Sequence, residues 1–277
     1  MLDAFVERLK HVPGIVAIAV GGSRARGTAD PSSDTDLGLY YQAGSPLDVA
    51  VLDAIAAECD DRKCAGLVTA IGDWGPWING GAWLQLDGRP VDLLYRETKK
   101  METAIDMAID GRVEIVHQGG HPFGFLSSIY VGEVVLCQPL WDPDRWVANA
   151  KAKIGGYPER LRRELIRRFS FEAGFNLLIA EKPGKRSDVT YVAGCLFQCI
   201  GCLLQILFAL NQEHWMNEKG ALALADRFDL VPSRFKERVE RAWRRLEPNP
   251  VSLREAISGI RELIDEVNRL VRHEGLE

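Results

Sequence analysis

Two aspartates separated by one residue follow a glycine-serine turn in this 277-residue chain. The turn is Gly22-Ser23 and the aspartates are Asp34 and Asp36. If a strand begins here, side chains two residues apart point to the same face, so both carboxylates can converge on magnesium. Asp92 lies in the apolar run RPVDLLY, where an unpaired charge is costly and a nearby cation explains it. The three carboxylates predict a site for two magnesium ions that acts on phosphate groups.

The turn itself predicts a phosphate site. The apolar run IVAIAV ends just before it and a short helical stretch follows, so backbone N–H groups point outward together. Gly22 allows close approach of the main chain because it has no Cβ, and Ser23 adds a hydroxyl donor. Arg24 and Arg26 are candidate charge partners for a triphosphate, although we expect at least one to be only a solvated surface charge.

Short apolar runs closed by turn residues predict a mixed sheet in the first half of the chain. Strands are expected at 15–20, 37–41, 67–71, 82–86 and 91–95, with a turn at Asp87-Gly88. Helices are expected at 2–11 and at 46–60, with Pro46 in the first turn of the second.

Helical periodicity dominates the second half of the chain. Helices are expected at 143–154, 158–181, 188–211, 219–228, 233–246 and 252–273. The fold class is therefore α/β (α+β): a mixed sheet flanked by helices, followed by a helical bundle. The predicted organisation is a catalytic domain over 1–118, a connecting segment over 119–142 and a helical bundle domain over 143–277.

The glycine-serine turn, the Asp-x-Asp pair after ten intervening residues and the later strand carboxylate resemble the DNA polymerase beta-like nucleotidyltransferase superfamily. GSRARG with SDTDL is especially similar to minimal nucleotidyltransferases and to the small bacterial antibiotic nucleotidyltransferases that act on aminoglycosides or lincosamides. The likeness is specific over residues 14–41 and extends to about 97. It implies a sheet of about five mixed strands and transfer of a nucleoside monophosphate, usually AMP from ATP, to an acceptor hydroxyl.

The resemblance also implies residue roles. Asp34 and Asp36 would ligate both magnesium ions, and Asp92 would hold the catalytic ion and accept the hydroxyl proton. The glycine-serine turn would hold the β and γ phosphates of ATP or another NTP. A basic residue of the helical domain often reaches the triphosphate in relatives, and Lys219 is the candidate, although a lysine at a helix start is more often plain surface.

Three tryptophans precede the Asp92 strand in the segment GDWGPWINGGAWLQL: Trp74, Trp77 and Trp83. Indole rings can stack on a base or a sugar, while packing in the core or a loop is their more common use. We therefore name them as candidates for an acceptor pocket only.

The bulk composition excludes several classes of protein. A formal net charge of -5 lacks the broad cationic field of proteins that grip nucleic acid, so nucleic acid is not an expected partner. The first residues have no secretory pattern, which predicts a cytoplasmic protein. The uncharged stretch 189–210 is long enough for a membrane span, but its glutamines and glycines favour the central helix of a bundle, and no membrane partner is expected.

These patterns favour an enzyme that transfers NMP to a hydroxyl of a small molecule, with an antibiotic as one candidate acceptor. Nucleotidylation of a protein or tRNA in a toxin-antitoxin-like system stays open as an alternative, and so does a nucleotide-binding module without turnover. The acceptor pocket has no diagnostic motif, so neither the acceptor nor the base preference nor the oligomeric state follows from the sequence.

Overall fold

A computed structural model of the chain describes residues 2–30 and 33–277. The chain forms two compact units. The first comprises Met1–Met107, Ile115–Gly120 and Phe125–Gly156, and the second comprises Ala108–Glu114, His121–Gly124 and Tyr157–Glu277. The domain division expected at residues 119–142 stays a prediction.

In chain order, the elements up to residue 154 are α1 (Leu2–Leu9), β1 (Ile15–Val20), α2 (Gly22–Arg26), β2 (Thr35–Tyr41), α3 (Val49–Cys59), β3 (Gly81–Leu86), β4 (Arg89–Glu97), α4 (Thr98–Ile109), β5 (Ile115–Gln118), β6 (His121–Leu126), α5 (Ile129–Leu136), β7 (Gln138–Trp141) and α6 (Trp146–Ile154). Five strands form one sheet in the order β3-β4-β2-β1-β7. Only β2 and β4 are parallel to each other, and the other neighbours are antiparallel. The mixed five-stranded sheet confirms the predicted fold class.

One face of this sheet carries the hydrophobic core. Leu37 and Leu39 of β2 and Leu93 of β4 are fully buried in a cluster with Phe5 of α1 and Leu52 of α3. Because side chains alternate along a strand, the residues between these core positions lie on the opposite face. That opposite face carries the acidic residues singled out by the sequence.

The hairpin between β3 and β4 turns at the predicted residues. Asp87 and Gly88 have φ angles of 52° and 70°. Left-handed conformations at both central residues match the twist of a two-residue hairpin, and glycine and aspartate adopt them at low cost.

The strand expected at residues 67–71 is wrong. Within the described chain this segment contributes a single bridge, between Val68 and Ala82. The Asp53 carboxylate accepts the backbone N–H groups of Gly66, Leu67 and Val68, which satisfies donors that a strand would have paired with a neighbour. Burial opposes the ionisation of Asp53, but these three donors lower its pKa on balance. The segment is therefore a loop anchored to α3.

The prediction that Pro46 lies in the first turn of a helix is also wrong. Pro46 precedes α3 instead of lying in its first turn, because the helix begins at Val49. The Asp48 side chain caps that start by accepting the N–H groups of Ala50 and Val51.

The second unit is helical. It contains α7 (Glu159–Gly184), α8 (Val189–Leu210), α9 (Ala221–Ala225), α10 (Phe235–Trp243) and α11 (Pro250–His273). Among the described helices, α8 is long and apolar enough to cross a membrane by length and composition, with a mean hydropathy of 2.1, but 78% of that window is buried inside the protein. Its thiols Cys199 and Cys202 are buried, which raises the pKa of Cys199 to about 12. A buried core helix has these properties.

Candidate active site

Three residues on adjacent strands form a cross-strand row. Asp36 of β2 is the register partner of Asp92 on β4, and Asp92 is in turn the partner of Trp83 on β3. Register partners point to the same face of a sheet and lie about 5 Å apart at Cα. The row therefore brings together two carboxylates and an indole that are separated by as many as 56 positions in sequence. It lies on the face opposite the core.

The glycine-serine turn contacts the row at Asp36. Gly21 donates its N–H to the Asp36 carbonyl at 2.8 Å, and α2 begins at Gly22. A Cβ built on Gly22 would lie 1.7 Å from Asp36 Oδ2, and Gly22 has a φ of +60°. Both the contact and the left-handed backbone require glycine at this position. The predicted phosphate turn thus abuts the first carboxylate of the row.

Arg24 holds the chain that enters β2. Its Nε donates to the carbonyl of Asp34 at 3.0 Å, and Nη2 donates to the carbonyl of Ser33. Asp34 is half-buried and lies immediately before the strand. Arg24 therefore braces the approach to the Asp-x-Asp pair, a contact between positions ten apart that the sequence did not reveal. Arg26 lies in the last turn of α2 and has interactions of its own.

The tryptophans divide into two groups. Trp83 stacks on Trp74 with ring centroids 4.4 Å apart and stays 63% exposed. Trp77 packs against Phe125 and Tyr130, and the Tyr130 hydroxyl donates to the Trp77 carbonyl at 2.6 Å. Trp77 therefore packs within the first unit, whereas Trp83 is a member of the row and Trp74 stacks on it.

The family model described as nucleotidyltransferase domain matches residues 2–115. The matched segment contains the whole row of Asp36, Asp92 and Trp83. A solved nucleotidyltransferase-like protein from Exiguobacterium sibiricum is similar at 10% sequence identity, with a TM-score of 0.46, over 98% of this chain and 78% of the other. No curated protein matches the chain significantly. Residues 2–115 are therefore similar to nucleotidyltransferase domains, and the finer type of enzyme stays open.

The nucleotidyltransferase domain implies an NTP substrate and typically a divalent metal. Within residues 2–30 and 33–277, no three His, Cys, Asp or Glu side chains are grouped to hold a metal ion. Magnesium in phosphate-transfer sites usually takes one or two carboxylates and completes its shell with water and substrate phosphates. The partnered carboxylates of Asp36 and Asp92 fit that requirement. The contribution of Asp34 as a third ligand stays a prediction.

A buried ion pair supports the five-stranded sheet on the same face as the row. Arg96 lies four residues after Asp92 on β4, and its Nε is 2.5 Å from Glu133 Oε1 on α5. Both side chains are at most 10% exposed. Tyr40, the register partner of Arg96, is also buried, and burial raises its pKa well above the ordinary value. These contacts fix α5 against the far ends of the strands that carry the carboxylates.

Lys219 belongs to the second unit. It is exposed in the turn before α9, next to Glu218. Glu218 accepts the Phe123 N–H at 2.8 Å and lies 3.4 Å from His121 Nδ1, so the turn is anchored within its own unit. The role of Lys219 at the triphosphate stays a prediction.

Proposed function

We propose that this nucleotidyltransferase transfers the NMP group of an NTP, with ATP as the expected donor, to a hydroxyl of a small-molecule acceptor in a magnesium-dependent reaction. The observation that carries the proposal is the register of β2 and β4, in which Asp36 and Asp92 are partners on one face beside Gly22. Carboxylates so paired next to a glycine turn suit the binding of a metal-bound triphosphate. An antibiotic of the aminoglycoside or lincosamide type is one candidate acceptor.

The proposed step is a single displacement at phosphorus. The acceptor hydroxyl oxygen forms a bond to the α-phosphorus, and the bond from the α-phosphorus to the bridging oxygen breaks. Pyrophosphate leaves with that electron pair. Asp92 accepts the hydroxyl proton, directly or through water. Bound magnesium would supply the positive charge that neutralises the phosphate oxygens.

The chain's own residues mainly bind and orient the reactants. Asp36 and Asp92 would hold the metal, and Asp34 would join them at the entry to β2. Gly22 and Ser23 would hold the β and γ phosphates through backbone N–H groups and a hydroxyl. Arg24 keeps the Asp-x-Asp segment in position through its carbonyl contacts. Positioning and charge stabilisation account for most of the rate enhancement in such reactions.

The test is transfer of label from ATP carrying a labelled α-phosphate. The full chain would be incubated with magnesium and separate pools of aminoglycosides, lincosamides, other polyhydroxyl compounds, cell protein and tRNA. We expect label on a small molecule, no label in the presence of a chelator, and recovery when magnesium is added back. Asp36→Asn should lower the rate at least about 100-fold, whereas the exposed Asp144→Asn should not change it.

The outcomes separate the open alternatives. Label on protein or tRNA would favour the toxin-antitoxin-like function instead. Binding of magnesium-ATP without label on any pool would favour a module without turnover. Full activity of Asp36→Asn would contradict the proposed site.

A further inference from the structure

Trp83 presents one open indole face at the edge of the sheet. Its side chain is 63% exposed, although tryptophan is usually mostly buried. Trp74 covers the other face, with ring centroids 4.4 Å apart and ring planes at 23°. Gly81 leaves space for Trp74, because a Cβ there would lie only 3.0 Å from its Cζ3 and 1.8 Å from the Leu93 carbonyl oxygen. We call Trp83 with Trp74 behind it the indole platform.

The anchoring of the platform is extensive for a surface feature. Arg62 donates to the Trp83 carbonyl at 2.6 Å while it also pairs with the buried Asp60. Gln118 donates to the Trp74 carbonyl at 2.6 Å. The Trp83 ring is covered on one face by Trp74, and the backbone carbonyls of both tryptophans accept hydrogen bonds. The ring therefore loses little conformational freedom when a ligand stacks on its open face.

The glycine turn, the two carboxylates and the indole follow one another across the strands. Gly22 contacts Asp36 at one end, Asp92 is in the middle, and Trp83 is at the other end. Neighbouring strands are about 4.8 Å apart. The indole therefore lies one strand away from Asp92, on the side opposite the turn proposed to hold the triphosphate. A group bound on the indole faces the carboxylate from the acceptor side.

We propose that the indole platform binds the acceptor and that the acceptor is a saturated, polyhydroxylated ring such as a sugar or a cyclitol. The inference rests on the proposed function, which supplies the nucleotidyl group. Such a ring has a face of C–H groups that packs on an indole, and its equatorial hydroxyls project sideways, toward Asp92. An acyclic polyol has hydroxyl groups but no rigid face of C–H groups to pack on the indole. A flat aromatic ring has the face without a hydroxyl on saturated carbon at its rim.

The ring acceptor reacts by the same displacement at phosphorus. The ring hydroxyl oxygen that faces Asp92 bonds to the α-phosphorus, its proton passes to that carboxylate, and pyrophosphate departs with the electron pair of the broken bond. Trp83 makes no bond, and it acts by positioning the ring.

The test compares ring and open-chain probes on the full chain. Saturation-transfer NMR would be recorded with myo-inositol, methyl α-glucoside and sorbitol, in the presence of magnesium and a non-hydrolysable ATP analogue. We expect transfer to the C–H protons of both ring compounds and little transfer to sorbitol. Trp83→Leu should abolish it, Trp83→Phe should keep part of it, and the exposed Phe171→Ala on α7 should keep all of it.

Kinetics with any ring acceptor that takes label give a second readout. Trp83→Leu should raise KM for the acceptor about tenfold and leave KM for ATP within about twofold. A rise in KM for ATP alone would overturn the inference, because the indole would then serve the nucleotide. Equal transfer to sorbitol and to the rings, or no transfer to either ring, would also overturn it. The NMR result does not require turnover, so failure of the platform is distinct from failure of nucleotidyl transfer.

Discussion

Replacement of Gly22 by alanine tests the contact between the glycine-serine turn and the first carboxylate. A Cβ at this position would lie 1.7 Å from Asp36 Oδ2, whereas real Cβ contacts essentially never fall below 3.0 Å. The carboxylate or the turn must therefore move by about 1.3 Å. A misplacement of about 1 Å in a reacting group can lower a rate about 100-fold. We expect Gly22→Ala to lose at least that factor in transfer rate.

Gly27→Ala is the matched control. Gly27 ends the same helix with a φ of +77°, close to the +60° of Gly22, but a Cβ there has no atom within 4 Å. Each substitution should destabilise the fold by about 1 kcal/mol, because alanine is strained at positive φ. Only Gly22→Ala adds the collision with Asp36. The pair of variants thus separates backbone strain from displacement of the carboxylate.

The assay combines label transfer from ATP, titration calorimetry of magnesium-ATP and thermal unfolding. Gly22→Ala should unfold within a few degrees of Gly27→Ala and lose transfer, while Gly27→Ala stays within about threefold of the parent chain. Equal transfer rates in the two variants would show that the turn has no role in positioning the carboxylate.

Three further substitutions probe the supports of the site. Glu133→Ala should lower the free energy of unfolding by about 3 to 5 kcal/mol in denaturant titrations, because it leaves Arg96 buried without its partner. A smaller loss than that of an exposed Glu→Ala change would be incompatible with a buried pair. Hydrogen bonds from Arg62 lower the pKa of Asp60 from 3.8 to about 2. The ionised Asp60 therefore stabilises the folded chain above pH 3.8, and this contribution is lost as the pH falls through about 2. Asp60→Asn should remove this pH dependence from the free energy of unfolding. An unchanged dependence on pH would contradict the role of the Asp60–Arg62 pair. Asp53→Ala should lower the free energy of unfolding by about 2 kcal/mol and speed the hydrogen exchange of the backbone amides of residues 66–68, whereas unchanged exchange would show that the carboxylate is dispensable.

Local signals in the sequence account for much of the fold. The bounds of β1 were predicted to the residue, because a short β-branched run closed by Gly21-Gly22 has few other structures open to it. The hairpin at Asp87-Gly88 follows from residues that tolerate positive φ. All six helices expected after residue 142 are present with bounds within three residues at each end, and α9 and α10 are each five residues shorter than expected. In each case the determining information lies within a few positions of chain.

Non-local information accounts for what the sequence did not predict. Residues 67–71 have strand-like composition, yet the Asp53 carboxylate, more than ten positions earlier, accepts the backbone N–H groups of Leu67 and Val68. Helix α5 has the sequence IYVGEVVL, whose β-branched residues do not indicate a helix. It is buried along most of its length, so tertiary packing overrides its propensity. Strand β7 is four residues long, and it pairs with β1, which is far away in the sequence.

The candidate site also combines local features with non-local ones. The types and spacing of the acids could be read from the sequence, since a strand places alternate residues on one face. The row of Asp36, Asp92 and Trp83 could not, because strand register depends on which strands become neighbours. The brace from Arg24 to the carbonyl of Asp34 was invisible for a related reason: a side chain that contacts the backbone leaves no pattern of residue types.

The first unit needs residues beyond the family match at 2–115. Strand β7 pairs with β1 through Ala19 and Val20, directly before the glycine turn, and thereby covers what would otherwise be an open edge of the sheet. Helix α5 supplies Glu133, without which Arg96 would be a buried charge without a counter-ion on a strand that carries Asp92. Both elements follow residue 115: β7 pairs with the strand that leads into the glycine turn, and α5 pairs with the strand that carries Asp92. Residues 129–141 therefore support the strand before the glycine turn and the strand of Asp92, although they lie outside the family match.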